Sequence, residues 1–111
     1  MIERYVIMKF KPGEKAKFLS IFESKKNIIA SFEGCTFLEL KHSKRNKNWL
    51  MTFSLWEHEK FLEKYRRSEI FLQVWFSVKP LFCEKAEALT VFTEVSDDLI
   101  KKQEFLSKFE S

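Results

Sequence analysis

The run from Ile2 to Phe10 carries apolar side chains on both of its alternate sets, Tyr5 and Ile7 on one and Val6, Met8 and Phe10 on the other. Side chains along a strand alternate between faces, so such a run needs cover on both sides. It belongs inside a layered structure. Pro12 and Gly13 end the extended run, and Pro12 suits the start of a helix.

From Glu14 to Phe32 the apolar spacing becomes helical. Ala16, Leu19, Phe22 and Ile29 form a stripe widened by Phe18, Ile21 and Ile28, and Gly34 is a natural left-handed stop. Cys35 to His42 alternates again, with Thr36, Leu38, Leu40 and His42 on one side and Phe37, Glu39 and Lys41 on the other. The polar, basic residues 43–48 read as a hairpin loop. Trp49 to Trp56 is the next strand. Its odd positions, Trp49, Met51, Phe53 and Leu55, are wholly apolar, and its even ones are mixed. Phe61, Leu62 and Tyr65 give a short helix. Arg66-Arg67-Ser68 interrupts it, Ser68 caps a second piece, and Phe71, Val74, Trp75 and Val78 mark that piece's buried side up to Pro80. Glu87 to Val95 is the last strand. The order β-α-β-β-α-β is the split ferredoxin-like pattern of the α+β class.

One domain, residues 1–95, therefore accounts for most of the 111 residues, followed by a tail, 96–111, whose Leu99, Ile100, Phe105, Leu106 and Phe109 lie among charges. The tail is expected as an amphipathic helix docked on its own domain or on a neighbour, or as frayed chain. With two Gly and two Pro against 13 Phe, long elements and short connections are expected. Cys35 and Cys83 form no C-x-x-C pair and read as reduced thiols, partly buried, with Cys83 in the core. The N-terminus lacks a signal-peptide pattern and no apolar stretch suits a membrane span, so a soluble, cytoplasmic protein is expected.

Two helices cover one face of such a sheet. The other would expose Trp49, Met51, Phe53 and Leu55, at a cost near 25 cal/mol per Å² of wet apolar surface. A second copy stacked on that row removes the cost, so a homodimer is expected.

The strand ending Trp49-Leu50-Met51-Thr52-Phe53-Ser54-Leu55-Trp56-Glu57, the segment Tyr65-Arg66-Arg67-Ser68-Glu69-Ile70-Phe71 and the later Val78-Lys79-Pro80-Leu81-Phe82 resemble the antibiotic biosynthesis monooxygenase family over residues 2–95. The resemblance implies two ferredoxin-like subunits forming a dimeric α+β barrel, each with a pocket between sheet and helices. It also implies cofactor-independent oxygenation of a small aromatic phenol or quinol, with no metal. Trp56 matches the strand-end tryptophan, Thr52 stands where cofactor-free members carry an amide, and Leu62 stands at a helix tyrosine, with Tyr65 one turn on. Against the haem-degrading branch, Trp75 replaces the ligand histidine and Val6 an asparagine, which disfavours haem degradation.

Oxygenation of this kind needs a substrate that can give an electron to dioxygen, and a protein that desolvates it and stabilises its anion. The candidate catalytic residues are Trp56, Thr52, Tyr65 and His42, with His42 as general base. Ser54, Trp75, Phe71 and Leu62 are candidate substrate contacts. The bland alternative makes Trp56 and Trp75 core fillers, leaves the hydroxyls merely satisfied and His42 solvated. A second functional reading is a non-catalytic binder of an apolar small molecule or haem. A third is an RNA-binding module, in which Lys41, Lys44, Arg45 and Lys47 grip phosphates and Trp49 and Phe53 stack bases; the third strand lacks that module's basic-glycine-aromatic signature, which makes nucleic acid the weakest choice.

Overall fold

A strand apolar on both faces should lie at the centre of its sheet, and β1 (Ile2–Lys9) does, in a four-stranded sheet of order β2-β3-β1-β4. The computed structural model describes residues 1–93 and 96–110. Its other elements are α1 (Lys15–Ala30), β2 (Cys35–His42), β3 (Trp49–Trp56), α2 (Glu59–Arg66), α3 (Glu69–Val78), a 3-10 turn (Lys79–Leu81), β4 (Glu87–Phe92) and α4 (Ser96–Glu110). All neighbouring strands are antiparallel. This is the ferredoxin-like α+β fold. The last strand is shorter than its alternation suggests: Phe92 pairs with Ile2, where β1 begins, so Thr93 has no partner and lies in a bend. Glu94 and Val95, also expected in that strand, lie outside the described residues.

The helical layer is positioned by local chemistry. Gly34 adopts a positive φ of 83°, and a Cβ there would sit 2.3 Å from the Phe61 ring, so only glycine lets α2 close over the start of β2. His58 caps α2, its Nδ1 accepting from the Lys60 N–H at 3.0 Å. Ser68 caps α3 by accepting from the Phe71 N–H at 3.2 Å, as its sequence position indicates. Against the sheet these helices build a core of Met8, Phe10, Phe18, Leu50, Val78 and Phe82. Cys83 is not part of it; it is exposed just past the 3-10 turn.

The opposite face departs most from expectation. The tail forms a 15-residue helix, α4, that lies on this chain's own sheet. Phe109 is buried with Tyr5, Ile7, Met51 and Val91, and Phe105 and Leu106 pack around them. Tyr5 Oη donates to Glu3 Oε1 at 2.7 Å, and the same carboxylate pairs with Lys102 of α4 at 3.2 Å. Met51, expected under a second copy, is 1% exposed in the single chain. Trp49 and Phe53 pack against the α4 cluster and Lys9 Nζ lies 4.4 Å over the Trp49 ring, so the aromatic platform that base stacking would need is already in use.

Candidate functional site

Strand register sets the floor of a cavity on the helical side. Leu38, Ser54, Arg4 and Thr90 form one cross-strand row, and Thr52, Val6 and Ala88 form the next. The walls come from α1, α2 and α3. Together these elements enclose about 330 Å³, lined by Phe18, Phe22, Leu62, Tyr65, Phe71 and Trp75 beside the floor residues Arg4, Val6, Thr52, Ser54 and Trp56. Arg66, Ala88 and Thr90 are exposed, which puts the opening between β4 and the α2–α3 junction.

The aromatic wall is continuous. Trp56 stacks on Tyr65 with ring centroids 5.3 Å apart, Tyr65 meets Phe71 edge-on at 5.2 Å, and Phe71 stacks on Trp75 at 6.0 Å. The break between α2 and α3 makes this possible, because it turns Tyr65 and Phe71 toward one another from two helices. Trp56 is anchored as well as stacked: its Nε1–H donates to Ser54 Oγ at 3.0 Å inside the protein. That leaves the Ser54 hydroxyl proton free to donate.

Electrostatics separate the polar lining into two kinds of group. Burial, and secondarily the Cys35 charge, pushes the Tyr65 phenol well above its usual range, so it stays neutral and keeps a proton to donate. The Arg4 guanidinium is pulled down by burial and then by the charge of Arg66, while Glu63 opposes both. Among the described residues no histidine, aspartate or glutamate lines the cavity.

The antibiotic biosynthesis monooxygenase family model matches residues 1–74, from β1 into α3. The chain belongs to this family. No curated protein matches the sequence significantly. Solved structures with the same fold include a conserved protein from Methanosarcina mazei Go1, 19% identical, covering 81% of this chain and 89% of its own with a TM-score of 0.78. A Nitrosomonas europaea protein provisionally named an antibiotic biosynthesis monooxygenase is 10% identical over 86% of this chain and 100% of its own, with a TM-score of 0.79. A Caulobacter crescentus CB15 protein with the same provisional name is 18% identical over 81% and 86%, with a TM-score of 0.76. At these identities the structures speak for the fold alone.

Of the residues singled out in this family member's sequence, the fold brings Thr52, Ser54, Trp56, Leu62, Tyr65, Phe71 and Trp75 around one cavity. It does not bring His42, which is exposed at the end of the edge strand β2 and is not among the lining residues. Leu50, opposite His42 in the register, belongs to the helix-side core. Sequence reasoning missed Arg4 and Arg66. Arg4 had a signal: it shares its alternate set with Val6, Met8 and Phe10, so a charge points toward the helices. Arg66 had none, since a basic residue at a helix end is ordinarily explained by the helix dipole.

Proposed function

We propose that the protein is a cofactor-independent monooxygenase that oxidises a small aromatic phenol or quinol. The observation that carries this reading is the aromatic cavity whose floor offers the hydroxyls of Thr52 and Ser54. At about 330 Å³ it falls at the lower end of the roughly 300–1,000 Å³ common for ligand sites, a size suited to one or two fused rings. Trp56, Tyr65, Phe71 and Trp75 form a wall for the ring to pack against and exclude water. Ser54, Thr52 and neutral Tyr65 donate to its oxygen and stabilise the anion that gives an electron to dioxygen. With no carboxylate or imidazole at hand, the proton leaves to solvent, and the positive charge of Arg4 and Arg66 favours the ionised substrate. Overall a phenol and dioxygen give a quinone and water: one oxygen atom enters the ring, and the other leaves with two hydrogens.

Oxygen uptake over a panel of naphthols and hydroquinones tests this. Turnover matched one-to-one by quinone formation, and reduced by Ser54→Ala and Trp56→Phe, is the expected result. Calorimetric binding of the same compounds without oxygen uptake would establish the second reading, a non-catalytic binder of apolar small molecules. That reading draws support from the absence of a lining base.

The functional unit is proposed to be a homodimer. Phe37 on β2 and Leu99 and Ile100 on α4 remain 44%, 49% and 52% exposed, an apolar remainder that a second copy would cover. Sedimentation should give twice the 13.4 kDa chain mass, with Phe37→Asp shifting it to single chains.

A further inference from the structure

We propose that Arg4, Arg66 and Thr90 form an anion subsite at the opening of the cavity, and that the aromatic ligand held there carries a ring carboxylate. This rests on the aromatic-pocket reading above and adds the charge of the occupant.

Arg4 lies on the central strand between Ser54 and Thr90, and its side chain lines the cavity. A guanidinium has five N–H donors. Among the described residues Arg4 makes one side-chain hydrogen bond, Nη1 to Thr90 Oγ1 at 2.7 Å, and no ion pair. A half-buried cation in an apolar cavity with no ion pair of its own is costly. A tie between β1 and β4 does not require it, since a neutral amide would bond a threonine hydroxyl as well. Arg66 adds a second cation to the same lining, and Glu63, the carboxylate that opposes both, is engaged with Arg66 at 3.2 Å. Two guanidiniums share one carboxylate, so the cluster keeps one positive charge. That balance suits a monoanion and not a doubly charged phosphate. A planar carboxylate also matches the guanidinium fork, accepting two parallel hydrogen bonds. The placement orients the ligand: the ring goes inward against Trp56, Tyr65, Phe71 and Trp75, and the charged group stays at the exposed end.

The test is calorimetric binding to the full chain of 2-naphthoate and of 2-naphthamide, neutral and of nearly the same shape. Naphthoate should bind at least about tenfold more tightly, the affinity difference that about 1.4 kcal/mol produces, and should weaken as salt is raised. Arg4→Gln should abolish the difference while leaving naphthamide affinity within about twofold. Arg66→Gln, at a solvent-exposed side chain, carries the same comparison if the Arg4 variant does not fold. Equal affinity of the two compounds for the unaltered protein overturns the anion subsite and leaves the aromatic pocket standing. A parallel loss of both compounds in Arg4→Gln assigns Arg4 a structural role and also overturns it. Binding of neither compound removes the pocket reading and this proposal together.

Discussion

The two faces of the sheet are built from the same strands by alternation, yet one is filled and the other is hollow. On the α4 side, Tyr5, Ile7, Met51 and Val91 meet Phe109, with Phe105 and Leu106 beside them, and the polar groups Tyr5, Glu3 and Lys102 satisfy one another. On the helical side, Val6, Thr52, Ser54 and Ala88 are small or short, and the large aromatics stand back on α2 and α3 around about 330 Å³ of space. Among the described residues Arg4 there hydrogen-bonds one hydroxyl, and the carboxylate whose charge reaches it, Glu63, is paired with Arg66. Buried polar groups that satisfy one another rigidify a fold, whereas those left with spare donors are costly and call for an explanation. The contrast is between a face closed by its own packing and a face that keeps a cavity, the site of the proposed chemistry.

The largest expected effect comes from Phe109→Ala. This side chain is 1% exposed, and its removal should cost about 3–5 kcal/mol in urea unfolding while naphthamide affinity stays within about twofold. A parallel loss of binding would show that the two faces are not independent. Ser54→Ala comes next. It orphans the Trp56 indole N–H and should destabilise by about 1–3 kcal/mol, and here ligand affinity and turnover should fall as well.

The two tyrosines sharpen the comparison through pH. Tyr5 and Tyr65 both have phenols raised above the ordinary value of 10.0, chiefly by burial. A raised phenol means that the folded protein holds its proton after the unfolded chain has lost it. The stabilisation is therefore complete below pH 10.0 and is lost as the pH climbs through the folded-state value. Tyr5→Phe and Tyr65→Phe should each reduce the alkaline fall in stability, read from urea midpoints. A cavity ligand should shift the ultraviolet titration of Tyr65 and leave Tyr5 unmoved; equal shifts would break the division between faces.

The smallest effect lies at the edge of the α4 side. Glu87 is held below the usual carboxylate range by its hydrogen bond to Lys108, with Lys9 adding at 3.1 Å. A depressed carboxyl contributes above its unfolded value of 4.5, and the contribution fades as the pH falls through the folded value. Glu87→Gln should flatten that acid limb by less than about 1 kcal/mol, because the side chain remains partly wet.

Much of this architecture was legible from residue order. The boundaries of β2 and β3, the broken helix and the Ser68 cap follow from period and side-chain chemistry, and Thr52, Ser54, Trp56, Leu62, Tyr65, Phe71 and Trp75, candidates on sequence grounds, lie round one cavity. His42 was not separable from them, because it falls on the same alternate set as Leu38 and Leu40; only its place at the end of an edge strand removes it. Arg66 was hidden for the opposite reason, a long flexible side chain that reaches a cavity its backbone does not line up with in sequence.

What the sequence by itself determined is the order and type of the elements and which side chains share a face, since alternation and helical spacing are local properties of the chain. What only the tertiary structure decided is what covers each face and which distant residues meet. The tail was as free to fray as to dock until Phe109 found Met51, and Arg4 had no partner in view until antiparallel register brought Thr90, 86 positions away, alongside it. The β2–β3 hairpin is local, but the pairing of β1 with β3 and β4 joins residues far apart in the chain, and no local window contains it.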